Sequence, residues 1–310
     1  MDSKKLKILG DVLGSYRRSG QEYLFSCPFC KHHKNKLSVN FDKGAKCWVC
    51  NWASPDIFRV IRRLGTRQQK DEWRELDGTV DIAEFSINMF DEKEEIEIPT
   101  ITELPKEFIS LTSNSLPRSS LNARRYLKSR GITKEDIFYW KIGYCNDGEY
   151  KNRIVVPSFN NEGYANYFIA RTYGKDWPKY KNPETSKNII FNELYINWEE
   201  PVVLVEGAFD AIKAGKNAVP ILGSSLREST RLFQAIVEND AAVYLSLDKD
   251  ASRKTRYITD LLLQYDIETY RINIDKEDVG EMTQEEFAEA KQNAILMNFE
   301  NYLVQETLAI

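Results

Sequence analysis

Several continuous apolar runs have the length of strands, and polar segments separate them. Residues 202–205 form one such run, which leads into Glu206 and Gly207, and residues 242–247 form another, which leads into an acidic triplet. Apolar runs of this length that lead into helix-like segments are typical of strands buried on both faces of an α/β sheet. The two runs therefore predict strands of one α/β sheet, each with acidic residues at its carboxyl end.

The remaining pattern predicts a second sheet and several helices. Residues 122–132 have a helical apolar spacing and end at a glycine, and residues from 285 onward resume a helical pattern. Two strand-like runs, 153–157 and 167–171, are joined by a polar turn at 160–163. These runs predict a hairpin with an arginine near each outer end.

Four of the five cysteines form two Cys-x-x-Cys pairs, Cys27 with Cys30 and Cys47 with Cys50. Each pair places two thiolates on one side of a turn, and two pairs at this spacing complete a tetrahedral site for Zn²⁺. Two disulfides are the alternative, but they fit poorly with a chain whose N-terminus lacks the apolar region of a signal peptide. The pattern predicts one structural zinc ion held by all four thiolates.

The segment between the cysteine pairs predicts two antiparallel strands, 37–41 and 45–49, which together make a zinc ribbon. The ribbon carries several lysines with aromatic residues interleaved: Lys31, Lys34, Lys36, Lys43 and Lys46, and Tyr23, Phe25, Phe41, Trp48 and Trp52. Such residues can follow a phosphate backbone and stack on single-stranded bases, although the aromatic side chains could equally form the core of the ribbon.

Composition adds limits to this picture. The 310 residues are 42% hydrophobic, enough for two domains or for one large domain with appendages. No apolar stretch is long enough for a transmembrane helix, so we expect a cytoplasmic protein without a membrane partner. The net charge of −4 argues against a chain that coats nucleic acid along its whole surface. An acidic run at 91–97 predicts a tether, or else a charged helix or solvated loop.

The predicted strand ends carry the candidate chemistry. Glu206 follows the first buried run, and Asp248 and Asp250 follow the second. Ligands bind at the carboxyl ends of strands in open α/β sheets, and oxygen ligands suit a hard cation such as Mg²⁺. Acidic residues also commonly end strands without binding anything, so a single stretch of this kind carries little weight. The pair together predicts a catalytic site for Mg²⁺ or Mn²⁺.

The segments that contain these acids resemble the Toprim domain. Primases, topoisomerases and some nucleases share this domain. Its marks are a Glu-Gly turn after the first strand, here Glu206-Gly207, and Asp-x-Asp after the third, here Asp248-Lys249-Asp250. The segment 278–282, Asp-Val-Gly-Glu-Met, resembles the third acidic motif of phage primases. That resemblance implies Asp278 as a further metal ligand.

Two other segments resemble bacterial and phage DNA primases. The stretch from Tyr23 to about Arg63 is similar to their zinc-binding domain, and Cys30 at the second ligand position is closer to the phage enzymes. Residues 178–185 are similar to the family signature Pro-Lys-Tyr-x-Asn-Ser-Pro. A family lysine is missing near Asn192, and Lys181 or Lys187 could replace it. The resemblance implies a basic groove for template, primer and ribonucleoside triphosphates, lined by Arg153, Arg171, Lys179, Lys181 and Asn182.

The expected architecture is multidomain, with α+β and α/β parts. We expect an N-terminal zinc-ribbon DNA-binding domain and an acidic tether. A basic α+β subdomain then joins an α/β Toprim catalytic domain, and a helical segment follows. The corresponding ranges are 1–65, 66–117, 118–198, 199–282 and 283–310.

The resemblance implies a DNA primase, similar in character to the small phage enzymes, that makes short RNA primers on single-stranded DNA. A replicative helicase is the expected protein partner. A Toprim nuclease would use the same acids but would not account for the zinc ribbon, and a type I topoisomerase would need a tyrosine domain and more chain. A non-catalytic zinc-ribbon DNA-binding protein would make the paired acids a coincidence.

Overall fold

The computed structural model of the protein describes residues 2–50, 52–77, 101–223, 226–248 and 251–297. The chain divides into two compact units. The smaller contains Met1–Ile98 with Gln264–Asp266, and the larger contains Pro99–Leu263 with Ile267–Ile310.

The smaller unit is built on an antiparallel sheet in which each strand pairs with the next along the chain. At one edge of the sheet, the backbone of Gly44 lies close to that of Ser54. The φ of Gly44 is 95°, and a Cβ there would lie 2.2 Å from the carbonyl oxygen of Ser54. Only glycine fits this position, which brings the last two strands together. The strands are β1 (Tyr16–Ser19), β2 (Glu22–Phe25), β3 (Leu37–Asn40), β4 (Gly44–Cys47) and β5 (Ala53–Ser54).

Three helices pack with this sheet around a single core. They are α1 (Asp2–Leu13), α2 (Phe58–Leu64) and α3 (Arg67–Asp77). Leu9, Phe25, Ile61 and Trp73 are buried in the same apolar cluster, so the cluster includes one side chain from each helix and one from the sheet. Burial of these large apolar side chains supplies most of the favourable free energy of folding of this small unit.

The larger unit begins with an antiparallel sheet whose strands lie in chain order: β6 (Phe108–Ser110), β7 (Gly143–Cys145), β8 (Arg153–Phe159) and β9 (Ala165–Thr172). The β8–β9 hairpin confirms the alternation of strands and polar turn in the sequence. Between β6 and β7 lie α4 (Ser120–Ser129) and α5 (Lys134–Tyr139). Helix α5 begins at a capping box in which Thr133 and Asp136 satisfy each other's backbone N–H groups.

An α/β sheet follows, in the order β11-β10-β12-β13-β14. Every residue of β10 is buried, as its apolar run predicts. The first four of these strands in space are parallel, and β14 is antiparallel to β13. The strands are β10 (Val202–Val205), β11 (Ala218–Pro220), β12 (Val243–Ser246), β13 (Thr269–Arg271) and β14 (Ile295–Leu296).

The connections of this sheet create a crevice. From β10 the chain passes to β11 on one side and then returns to β12 on the other side. Such a switch in strand order opens a ligand site at the carboxyl ends of the strands. The helices between and after the strands are α6 (Ala208–Ala214), α7 (Arg231–Asn239), α8 (Ser252–Gln264) and α9 (Gln284–Gln292), with a 3₁₀ turn at Val279–Glu281.

The expected fold class is confirmed, but two segments differ from the prediction. The predicted tether, 66–117, has α3 at one end, with Trp73 buried in the core of the smaller unit, and β6 at the other end, paired with β7. Residues 78–100, which include the acidic run, lie outside the described residues. In the predicted C-terminal helical segment, the described residues, which extend to 297, contain one helix, α9. Helix α9 ends at Gln292, and β14 then pairs with β13 because its backbone groups find partners at that sheet edge.

Within the described ranges, none of the helices combines the length and the apolar character needed to cross a lipid bilayer.

Candidate active site

The four paired cysteines lie together in the smaller unit. Cys27 follows β2 and Cys47 ends β4, and both strands are antiparallel to β3, so their carboxyl ends share one edge of the sheet. The Sγ atoms of Cys27 and Cys50 are 3.9 Å apart, and those of Cys30 and Cys47 are 3.8 Å apart. Four zinc–sulfur bonds of about 2.3 Å in a tetrahedron separate the sulfurs by about 3.8 Å. The cluster therefore fits one tetrahedral ion.

Burial disfavours the charged form of two of these thiols when no cation is bound. Burial raises the pKa of the Cys27 and Cys47 thiols above their ordinary value. A coordinated metal ion reverses that effect, because it stabilises the thiolate directly. With four sulfurs in place, such an ion would have no open position for a substrate.

In the larger unit, the strand register brings two of the predicted catalytic acids to one edge. Val205 of β10 pairs in parallel with Ser246 of β12. Glu206 is the next residue after β10, and Asp248 lies two residues beyond the end of β12. Both acids therefore leave adjacent strands at the switch in strand order. Asp250, the third predicted acid, lies outside the described residues.

Glu206 has a partner that the sequence analysis did not identify. The Nζ atom of Lys254 lies 3.0 Å from Oε1 of Glu206, and both side chains are largely shielded from solvent. Lys254 lies in the first turn of α8, where a positive charge opposes the helix dipole unless a carboxylate is near. This lysine at the start of a helix is the feature of the sequence that could have indicated a carboxylate partner. The contact orients the Glu206 carboxylate.

Asp210 lies in the first turn of α6 and is partly buried. Its Oδ2 atom accepts the backbone N–H of Gly207 at 2.8 Å, which caps the helix. Burial raises the pKa of Asp210 to about 6, and the negative charge of Asp278 acts in the same direction. Hydrogen bonds from the Gly207 and Gly280 backbones and the charge of Arg130 partly offset this rise. Asp210 is thus a carboxyl group poised to change its protonation state near neutral pH.

The predicted ligand Asp278 lies beside Asp210, at the start of the 3₁₀ turn. A Cβ at Gly280 would lie 2.8 Å from Oδ1 of Asp210, 3.0 Å from a terminal nitrogen of Arg130 and 3.1 Å from Oδ1 of Asp278. These three groups therefore converge on one glycine. Within the described ranges, Oδ1 of Asp278 is buried without a hydrogen-bond donor, so it offers an acceptor that a cation could use.

Arg130 is the second residue that sequence reasoning missed. It follows α4, whereas Gly280 and Asp210 lie far along the chain, so only the fold brings them together. The sequence singled out this position only as part of an Arg-Gly helix stop. Its charge lies among the acids of the sheet edge and lowers the pKa of Asp210.

Arg153, a predicted groove residue, is buried. Its side chain is only 3% exposed, and its guanidinium donates to the carbonyl oxygens of Pro178 at 2.7 Å and Lys179 at 3.3 Å. Both donors are turned to the protein's own backbone. Arg153 therefore holds the segment after β9 against β8 instead of lining an open groove.

Arg171 takes a different position at the other end of the hairpin. Its guanidinium lies 4.9 Å from the ring centre of Phe209 and 5.2 Å from that of Tyr180, and it donates to the Tyr180 hydroxyl at 2.7 Å. Phe209 is the second residue of α6, three positions after Glu206. The stack therefore joins the basic hairpin to the acidic strand ends.

The remaining predicted groove residues are divided between exposed and supporting positions. Lys179 is exposed, and its Nζ lies 6.0 Å from the ring of Tyr180. Lys181 pairs with Glu149 at 3.1 Å. Oδ1 of Asn182 accepts the backbone N–H of Ala170 at 3.2 Å, which ties the segment to β9. Lys179 and Arg171 are thus the predicted basic residues best placed to meet a ligand.

Comparison with known proteins gives relatives of one kind. A search of protein-family models gives no match to this chain. The chain is 26% identical to the DNA primase of Lactococcus lactis, over 80% of this chain and 49% of that protein. It is 28% identical to the DNA primase of Halalkalibacterium halodurans, over 78% of this chain and 49% of that protein. The chain spans about half the length of the curated relatives it matches.

A solved structure shares the fold. The catalytic domain of the DnaG primase, determined with single-stranded DNA bound, matches 61% of this chain and 76% of its own length with a TM-score of 0.52 and 20% identity. At 20% identity this match shows a shared fold. The sequence similarity to DNA primases is an independent finding that agrees with it. The chain is therefore similar in sequence to bacterial DNA primases and has the fold of the DnaG primase catalytic domain.

Proposed function

We propose that the protein is a DNA primase, a DNA-directed RNA polymerase that joins ribonucleoside triphosphates into short RNA primers on single-stranded DNA. The observation that carries this proposal is the position of Glu206 and Asp248 at the carboxyl ends of adjacent parallel strands. The sequence similarity to primases makes primer synthesis the favoured reaction among those that such acids support.

Acidic residues of the larger unit would hold the catalytic cation. Glu206 and Asp248 are the first candidates, with Asp250 next along the chain and Asp278 supplying a buried carboxylate oxygen that lacks a donor within the described ranges. A bound Mg²⁺ or Mn²⁺ would polarise the reacting phosphate and stabilise the departing pyrophosphate. Lys254 would orient Glu206 for that role.

The basic residues would position the nucleotides. In primer synthesis a 3′-hydroxyl attacks an α-phosphate, a new phosphorus–oxygen bond forms, and the bond to the β-phosphate breaks with loss of pyrophosphate. Arg171 stacks three residues beyond Glu206 and would donate to the triphosphate, and the exposed Lys179 would meet the same anion or the template backbone. Lys181 and Asn182 would support this surface from the adjacent segment.

The four-cysteine cluster would hold one structural Zn²⁺. The sulfur separations of 3.8 and 3.9 Å support this assignment. In this proposal the smaller unit binds template DNA, and its lysines and aromatic side chains help to choose the start site. A primase would act in the cytoplasm, where template and ribonucleotides occur, and docking on a replicative helicase remains a prediction.

Primer synthesis on single-stranded DNA with labelled ribonucleotides and Mg²⁺ or Mn²⁺ tests the proposal. Wild type should yield short RNA, and Glu206→Gln and Asp248→Asn should each reduce the yield on the order of 100-fold or more, because charge stabilisation at the reacting phosphate is lost. The matched control is Glu199→Gln, an exposed glutamate before the amino end of the same strand β10, which should retain wild-type activity.

Two outcomes would overturn the proposal. Cleaved template without RNA products would identify a nuclease that uses the same acids. Binding of DNA with neither RNA synthesis nor cleavage would identify a non-catalytic DNA-binding protein.

A further inference from the structure

Trp177 lies on the surface of the larger unit with its side chain in solvent. It is 89% exposed, more than any other large hydrophobic side chain in the described part of the chain. It belongs to the loop 173–179, which follows β9 and which an isolated bridge between Arg171 and Tyr180 closes. A tryptophan placed this far into water gains nothing from the folded core, so its side chain is available to a ligand.

The base of this loop is firmly held. Arg153 donates to the carbonyl oxygen of Pro178 at 2.7 Å, and the backbone N–H of Thr172 donates to the carbonyl oxygen of Lys179 at 3.0 Å. The Thr172 hydroxyl donates to Asp176 at 3.2 Å. These bonds fix the backbone on both sides of Trp177. A ligand that meets the ring therefore finds a pre-organised surface, and little ordering of the loop opposes binding.

The charges around Trp177 favour an anionic ligand. Lys175 and Lys179 flank it and are both exposed. Asp176 is the one acidic residue between them, and its carboxylate is turned back to Thr172. An aromatic ring between exposed cations is the arrangement that binds single-stranded nucleic acids, with bases on the ring and phosphates on the cations.

The loop leads directly to the candidate active site. Tyr180, at the end of the loop, accepts a hydrogen bond from Arg171, and Arg171 stacks on Phe209. Phe209 follows Glu206 by three residues. A strand of nucleic acid on Trp177 would therefore lie at the entrance to the acids, on the side of the basic hairpin.

A protein partner fits this surface less well. Trp177 is the only large apolar side chain between Gly174 and Lys179, and stable protein interfaces bury about 800 Å² on each partner around an apolar centre. One ring flanked by cations is far smaller than that. It does match the area of one base.

We propose that Trp177 is a stacking platform for an unpaired base of the single-stranded DNA template, with Lys175 and Lys179 holding the flanking phosphates. This inference rests on the proposed primase function and adds a binding residue to it. It also assigns Arg153 the task of holding the platform in place.

Binding of a single-stranded DNA oligomer tests the platform directly. Trp177→Ala should bind the oligomer about tenfold more weakly than wild type, within the range that loss of one base–aromatic stack produces, while Trp177→Phe should retain most of the affinity. Tyr164→Ala is the matched control, because Tyr164 is an exposed aromatic residue just before the opposite end of β9. It should bind as wild type does.

A second readout reports stacking itself. An oligomer that contains the fluorescent base 2-aminopurine should lose fluorescence when the base stacks on Trp177. The quenching should persist in Trp177→Phe and Tyr164→Ala and should fall in Trp177→Ala at saturating protein. The affinity for duplex DNA should be the same in wild type and Trp177→Ala, because paired bases are not free to stack.

The outcomes separate this inference from the proposed function. Equal oligomer affinity and equal quenching in wild type and Trp177→Ala would overturn the platform, even if wild type makes RNA. Weaker binding and lost quenching in Trp177→Ala would support the platform, even if wild type makes no RNA and the primase proposal fails.

Discussion

Asp210 shows how position alone changes the chemistry of a side chain. Its carboxyl group is partly buried in the first turn of α6, accepts the Gly207 backbone N–H and lies near Asp278. Burial raises its pKa to about 6 from an ordinary value of 3.8. The folded protein thus binds this proton more tightly than the unfolded chain does. The group's contribution to the free energy of unfolding is therefore full below pH 3.8 and is lost as the pH rises through about 6.

Asp210→Asn should therefore become more stable relative to wild type as the pH rises. The shift corresponds to about 3 kcal/mol at neutral pH, since one pKa unit is about 1.4 kcal/mol, and asparagine keeps the capping oxygen without the charge. Urea unfolding of both proteins at pH 4.5 and pH 7.5, without added divalent cation, measures the change. The exposed Asp147→Asn serves as the control for the substitution. An equal stability difference at both pH values would contradict the expectation.

Gly280 illustrates packing at the same scale. Three charged groups approach within 3.1 Å of the place where its Cβ would lie, so no other residue fits without moving them. The third acidic motif is thereby held against Asp210 and Arg130. The geometry of this motif depends on the lack of a side chain at Gly280 as much as on the charged residues.

At the scale of elements, the β8–β9 hairpin and its following loop act as one unit. Arg153 of β8 is buried and donates to two backbone carbonyl oxygens beyond β9, while Asn182 accepts a backbone N–H of β9. These contacts join residues 12 to 26 positions apart in the chain. The hairpin therefore holds the loop that carries Trp177 in place. Its Arg171 faces the acidic residues at the strand ends.

Arg153→Met should loosen this loop while leaving the hairpin paired. Loss of the charged donors removes about 1.5 to 3 kcal/mol per hydrogen bond, and the carbonyl oxygens of Pro178 and Lys179 each lose one donor. Limited trypsin digestion should then cut after Lys175 or Lys179 markedly faster than in wild type. Lys151→Met, at an exposed position just before β8, is the control and should digest as wild type does. Unchanged cleavage in Arg153→Met would show that the loop does not depend on these bonds.

At the scale of the whole molecule, the two compact units have different sources of stability. The smaller unit joins a modest apolar core to the four-cysteine cluster, and small domains of this kind commonly depend on a metal ion. The larger unit has two sheets and contains the fifth cysteine, Cys145, fully buried in β7. Burial raises the pKa of Cys145 to about 12, so its thiolate is scarce at neutral pH.

Removal of zinc by a chelator should therefore expose four thiols and leave the fifth protected. A thiol reagent at pH 8 should react with Cys27, Cys30, Cys47 and Cys50 after chelation, and with Cys145 only after a denaturant is added. Protease digestion should then remove the smaller unit first. Cys145→Ser identifies the fifth thiol. Simultaneous reaction of all five after chelation would mean that the larger unit also unfolds without the metal.

The sequence by itself determined the features that depend on neighbouring residues. The pairs of Cys27 with Cys30 and of Cys47 with Cys50 are local, and so are the buried runs that end at Glu206 and Asp248. Apolar periodicity and turn chemistry act over a few residues, so the strands, the hairpin and the acids at the strand ends could all be predicted. The class of the fold followed from their order.

Only the tertiary structure decided which distant residues meet. Lys254 reaches Glu206, and Arg130 reaches Gly280. Arg153 turns inward to backbone carbonyl oxygens, although the resemblance to primases implied that it lines an open basic groove. A periodic pattern of apolar residues predicts which side chains face the core. It does not predict which residues of another helix or strand those side chains contact. Those partners set burial, pKa and orientation, and these decide what each charged group can do.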